Sequence, residues 1–179
     1  VHYFSKVFGE FDAEMGYSIH ETKDGGFIIA GATSSYWATD SLPKIAMLQH
    51  GVTNAIVVKI DSIGEQEWIK TFGGELFESA FNAKETSDGG YFFAGYTNSF
   101  GKGLYDFWLV KLNEGGQKTW EKTYGTAKAN VGLYGDVTSD GGFILTGYTI
   151  PAEKTDKDVW LLKTNSNGDS LWSVTFDDS

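Results

Sequence analysis

Cysteine is absent from this chain of 179 residues, and proline occurs only 2 times. The first absence excludes disulfides and thiolate metal sites. Basic residues are few: 14 Lys and Arg stand against 24 Asp and Glu, a formal charge of −10. That balance argues against nucleic acid or an anionic membrane as partner, since both require a basic surface. No apolar run approaches the roughly 20 residues of a membrane helix, so membrane insertion is not expected. The 3 histidines, His2, His20 and His50, stand in no metal-binding spacing, and neither a Gly-x-Ser-x-Gly elbow nor a phosphate loop is present. No Asn-x-Ser/Thr sequon occurs, so N-glycosylation of that type is not expected, whereas Ser and Thr for O-linked sugar are abundant.

What is abundant is glycine, at 23, and aromatic residues, at 16%. With 41% apolar residues the chain is long enough to bury a core, and glycine with aromatics points to short strands joined by tight turns. The longest apolar runs, such as Phe27 to Gly31, are strand-sized. The sequence begins with Val1 and not Met, which suggests a secreted protein from which a leader has been removed.

One phrase occurs three times: Thr22-Lys23-Asp24-Gly25-Gly26-Phe27, Thr86-Ser87-Asp88-Gly89-Gly90-Tyr91 and Thr138-Ser139-Asp140-Gly141-Gly142-Phe143. Fixed spacings bind the copies together. Gly9 to Asp24, Gly73 to Asp88 and Gly125 to Asp140 each span 15 residues; Lys59 to Trp68, Lys111 to Trp120 and Lys163 to Trp172 each span 9. The repeat is 52 residues long, and its first copy carries 12 extra residues. A period of this size marks a repeated supersecondary unit.

Each unit predicts four strands. The first is Tyr17 to Lys23. The second is Phe27 to Thr33, with Tyr91 to Thr97 and Phe143 to Thr149 as equivalents; these nearly continuous apolar runs suit strands buried on both faces. The third is Ala55 to Ile60, with Phe107 to Leu112 and Val159 to Thr164. The fourth is Gln66 to Phe72, with Lys118 to Tyr124 and Ser170 to Phe176; it alternates, as a half-exposed outer strand does. Asp or Asn opens the turn between strands three and four and Gly closes it, as in Asp61-Ser62-Ile63-Gly64.

The pattern Thr-x-Asp-Gly-Gly-aromatic-x-x-x-Gly-Tyr-Thr, then Asp-x-Trp-Leu-x-Lys, Asn-x-x-Gly and Trp-x-x-x-Tyr-Gly, cleanest over Thr86 to Gly125, resembles the Asp-Gly-Gly β-propeller repeats of prokaryotic secreted and surface proteins. The resemblance spans nearly the whole chain. It implies quinoprotein-like four-stranded blades and no shared catalytic residues or cofactor. The hairpin also resembles the Asp-box turn of sialidase-type propellers. The chain departs from the pattern in copy number, since closed propellers typically have 4–8 blades. The reading is therefore a single all-β domain over 1–179 with units of about 10–74, 75–126 and 127–179. A β-trefoil, with three units of four strands, is the alternative fold.

The fourth-strand motif, two aromatics four residues apart, occurs four times: Phe4/Phe8, Trp68/Phe72, Trp120/Tyr124 and Trp172/Phe176. One strand, over 2–9, is thus left without a unit, giving 13 strands. An unpaired strand and open unit faces are edges that proteins normally hide. Exchange with another copy would hide them, as a closed dimer or as a fibre. The candidate assembly residues are Tyr3, Phe4, Val7 and Phe8 at one end and Leu171, Trp172, Val174 and Phe176 at the other. The extra residues lie within 35–54, where 41–51 predict a short helix with Leu42, Ile45 and Leu48 on one face. This segment reads as a plug over the open end, or as a docking element or pocket lip with Tyr36 and Trp37 as contacts.

No constellation points to catalysis, so neither catalytic nor metal residues are assigned. The recurrent Lys59, Lys111 and Lys163 are expected to reach an edge or pair with a carboxylate, with a three-lysine anion ring as the functional alternative. The resulting expectation is a non-enzymatic, extracellular or cell-surface structural protein that self-assembles. The alternative is a carbohydrate-binding or adhesion module using exposed aromatics such as Tyr36, Trp37 and Tyr105.

Overall fold

The structure is a computed structural model and describes residues 7, 13–34, 52–150 and 155–177. Among the described residues, twelve strands form three four-stranded antiparallel sheets. The first sheet holds β1 (Glu14–Glu21), β2 (Phe27–Thr33), β3 (Asn54–Ile60) and β4 (Gln66–Phe72). The second holds β5 (Glu78–Glu85), β6 (Tyr91–Thr97), β7 (Asp106–Leu112) and β8 (Lys118–Tyr124). The third holds β9 (Asn130–Val137), β10 (Phe143–Thr149), β11 (Asp158–Thr164) and β12 (Ser170–Phe176). Each sheet is a meander in chain order, so every neighbour is joined by a hairpin or a short loop except where 35–51 intervene between β2 and β3. Three separate meanders are blade-like and rule out the β-trefoil alternative.

The Asp-Gly-Gly phrase makes the first hairpin of every sheet. Its first glycine adopts φ of 79° at Gly25, 80° at Gly89 and 78° at Gly141, a backbone state that residues with a Cβ avoid. The first strands begin earlier than the sequence predicts, at Glu14 and not Tyr17. Their partners run the full length to Thr33, Thr97 and Thr149, and a bulge at Tyr17, Phe81 and Leu133 lets pairing continue past the expected start. Thr22 and Lys23 belong instead to the turn, closed by Thr22 N–H to Gly26 O at 2.9 Å.

The sheets stack face to face in chain order. The second lies between the others, so β6 and β7 are almost wholly buried. The first junction packs Ile28, Ala30 and Val57 against Tyr91, Phe93 and Trp108. The second packs Phe92, Phe107 and Leu109 against Phe143, Leu145 and Leu162. Each large side chain so buried contributes about 1.5–3 kcal/mol. In the outer sheets the second strands are buried mainly on the side facing the middle sheet, not on both faces as the sequence predicts. The expected strand over 2–9 lies outside the described residues except for Val7, which is 94% exposed. The expected helix over 41–51 also lies outside them.

Candidate functional site

The recurrent lysines are resolved first, because they could have marked an anion site. In the first sheet Asp24 accepts hydrogen bonds from Thr22 Oγ1 at 2.5 Å, Gly26 N–H at 2.9 Å and Lys59 Nζ at 2.8 Å. Asp88 does the same with Thr86, Gly90 and Lys111, and Asp140 with Thr138, Gly142 and Lys163. Each lysine also donates to the carbonyl of the residue after it, Ile60, Leu112 or Thr164. The lysines therefore lock the turn to the third strand within their own sheet, and a common anion ring does not form. Hydrogen bonds from Lys59 and then Thr22 hold Asp24 well below the usual carboxylate range. Asp88, held chiefly by Thr86, is lowered to about 2. Burial works against the charge on Lys59, but its bonds to Asp24 and Glu67 outweigh that and raise its pKa.

A polar seam joins the first strands. Asn82 Nδ2 and His20 Nε2 are 2.9 Å apart, Asn82 Oδ1 accepts from Gly135 N–H at 3.3 Å, and Lys84 pairs with Asp136 at 2.7 Å. Burial, then Lys84, holds His20 below its ordinary pKa. His20 is thus a strand residue joining adjacent sheets. Among the described residues no group of three or more His, Asp or Glu gathers in a way that could hold a metal ion.

The distinctive surface is the face of the third sheet that points away from the second. Register places Ile144, Lys163 and Trp172 in one row, Thr146, Leu161 and Val174 in the next, and Tyr148, Val159 and Phe176 in a third. The equivalent rows of the first two sheets are junction core: Ala55, Val57 and Leu109 are 0% exposed and Phe107 is 1%. On the third sheet Val159 is 53% exposed and Phe176 57%. The outer strands tell the same story. Trp68 lies edge-on to Tyr91 at 5.6 Å and donates from Nε1 to Glu114 O at 3.2 Å, both in the next sheet. Trp120 packs on Phe143 at 5.8 Å, and the Tyr124 hydroxyl donates to Gly168 O. Trp172 occupies the same position with no following sheet among the described residues, and is 46% exposed.

Of the residues singled out from sequence, Trp172, Val174 and Phe176 share this open face. Leu171 sits at the β11–β12 register shift and is also exposed. Val159 and Leu161 complete the face and were missed; the buried counterparts Ala55, Phe107, Val57 and Leu109 were the available signal. Tyr3, Phe4, Phe8, Tyr36, Trp37, Leu42, Ile45 and Leu48 lie outside the described residues. Tyr105 is half-buried and packs edge-on against Tyr96 at 5.2 Å.

No protein-family model matches the chain, and a search of curated proteins finds no match.

Proposed function

We propose that this chain is a non-enzymatic structural protein of the cell surface or extracellular space that assembles with copies of itself. The three sheets act as blades of the Asp-Gly-Gly propeller type, and the third blade of one copy seats on the first blade of the next. The observation that carries this reading is the open face of the third sheet, whose positions are junction core in both other sheets.

A second copy is the occupant the repeat itself favours. The receiving side of each internal junction is apolar at four matched positions: Tyr91, Phe93, Trp108 and Val110, then Phe143, Leu145, Trp160 and Leu162. The first sheet has Phe27, Ile29, Ile56 and Val58 at those positions, which form an apolar cluster of their own. Like surfaces recur in series, so a head-to-tail contact follows the geometry already used twice. A contact that closes after two copies gives six blades, within the usual range of rings; one that does not close gives a fibre.

Paired replacement of Val159 and Leu161 by Ser tests the proposal, because both stay on the open face whichever strand pairs with β11. The expected result is loss of assembly in native mass measurements, with a melting temperature changed by only a few degrees because Val159 is exposed and Leu161 half-buried in the single chain. Unaltered assembly would count against it.

A further inference from the structure

The outer strand has a fixed pattern in the first two sheets. Trp68-Ile69-Lys70-Thr71-Phe72-Gly73 and Trp120-Glu121-Lys122-Thr123-Tyr124-Gly125 share aromatic, lysine, aromatic and glycine at the same places. Phe4-Ser5-Lys6-Val7-Phe8-Gly9 carries all four. Trp172-Ser173-Val174-Thr175-Phe176-Asp177, on β12, keeps the aromatics but has Val for the lysine and Asp for the glycine.

Both departures matter. A Cβ on Gly73 would stand 2.0 Å from Asn54 Oδ1 and 2.7 Å from Glu78 Oε2; on Gly125 it would stand 1.6 Å from Asp106 Oδ1. The junction leaves no room for a side chain there. Asp158 holds the corresponding place in the third sheet, opposite Asp177, which is exposed in the single chain; a junction formed behind β12 would therefore close on a Cβ and a second carboxylate where the internal junctions have glycine. The lysine also has a use. Lys122 Nζ reaches Asp169, in the turn of the following sheet, at 3.2 Å. Val174 cannot make such a bond, whereas Lys6 can, and the place of Asp169 in the first sheet is held by the acidic Glu65.

Spacing completes the case. Gly73 to Glu78, Gly125 to Asn130 and Gly9 to Glu14 are each 5 residues. The segment Phe4–Gly9 therefore stands to the first sheet as β4 stands to the second. In both internal junctions such a strand pairs with the preceding sheet while its chain enters the following one. Three blades fall below the 4–8 of closed rings, and the third sheet of a second copy, with its open face, offers Phe4–Gly9 a preceding sheet. Val7, the described residue of this segment, is 94% exposed, whereas its counterparts Thr71 and Thr123 are half-buried.

We infer that the cognate outer strand of the third sheet is the segment Phe4–Gly9 of a second copy, and that β12 is a placeholder displaced on assembly. This rests on the proposed self-assembly and names its strand. The register follows from Val159↔Phe176, Leu161↔Val174 and Lys163↔Trp172: Phe8, Lys6 and Phe4 take the places of Phe176, Val174 and Trp172. The exchange conserves strand number, so its driving force is the fit at glycine and lysine together with the junction formed behind it.

The absence of native cysteine makes crosslinking clean. Chains carrying only Phe8→Cys, which keep Lys6 and Gly9, are mixed with chains carrying only Val159→Cys and oxidised; a mixed disulfide dimer is expected. A chain carrying both Val159→Cys and Phe176→Cys locks β12 in place when oxidised; it is expected to stay monomeric and to assemble on reduction. Asp177→Gly improves the placeholder and is expected to weaken assembly roughly tenfold. If no mixed dimer forms and the oxidised lock assembles as well as the reduced chain, displacement is wrong and assembly through the intact face stands. If the unmodified chain stays monomeric at all concentrations, both readings fall.

Discussion

At the scale of single residues, the Thr–Asp–Lys cluster is the unit that holds each hairpin to its sheet. Lys59 is fully buried and bonded to two carboxylates, so Lys59→Met should cost about 2 kcal/mol, as loss of charge-assisted hydrogen bonds does; urea unfolding measures it. Asp88 titrates near 2 in the folded chain against an ordinary 3.8. Because the folded value is the lower one, the unfolded chain takes up its proton first on acidification. The stabilisation is therefore complete above about pH 4 and fades between about pH 4 and pH 2. Unfolding curves across that window should show the loss, and Asp88→Asn should flatten it. Lys59 has the opposite sign: its raised pKa makes its contribution complete below the ordinary value of 10.5 and lost as pH rises through the folded value. Two glycines separate backbone strain from crowding. Gly89 has φ of 80° with nothing near its missing Cβ, so Gly89→Ala should cost about 1–2 kcal/mol. At Gly125 a Cβ would meet Asp106, so Gly125→Ala should cost more, measured by the same unfolding curves.

At the scale of elements, three strands with nearly the same pattern have different energetic weight. Trp120 is half-buried against Phe143 and Gly168, so Trp120→Ala should destabilise the chain by about 3 kcal/mol. Trp172→Ala should cost well under that in the single chain, because Trp172 lacks a sheet to pack on. Val159→Ser, on the same open face, should also cost little in the single chain yet impair assembly, so thermal melting beside native mass for Trp120→Ala and Val159→Ser separates folding from association. Elements are also where the sequence was most readable. The second strands begin right after the Asp-Gly-Gly turn, whose chemistry is local, so their bounds follow from the phrase itself. The fourth strands follow equally from the Asp/Asn-to-Gly turn before them. The first strands began three residues early because the bulge at Tyr17 has no composition of its own: Tyr17, Phe81 and Leu133 look like ordinary strand residues. The lysines were readable as carboxylate partners, although their partner lies 35 residues away at Asp24 in the first sheet and 23 away in the others.

For the whole molecule, the open surface could not be read from any one strand. Val159 and Leu161 look as buried in sequence as Ala55 and Leu109 do; only the position of the third sheet at the end of the stack exposes them. Aromatic spacing did mark Trp172 and Phe176, because the same motif recurs at Phe4 and Phe8. Charge sets a further condition on association. Copies that each carry −10 repel one another, so added salt should strengthen assembly by screening, observable as a shift of the mass distribution at fixed protein concentration. The most direct measurement is the light-scattering mass of the unmodified chain from high dilution to high concentration. Self-assembly through the third sheet requires the mass to rise in whole multiples of one chain, and the Val159→Ser/Leu161→Ser variant to remain at one. A single-chain mass at every concentration and salt level would contradict it.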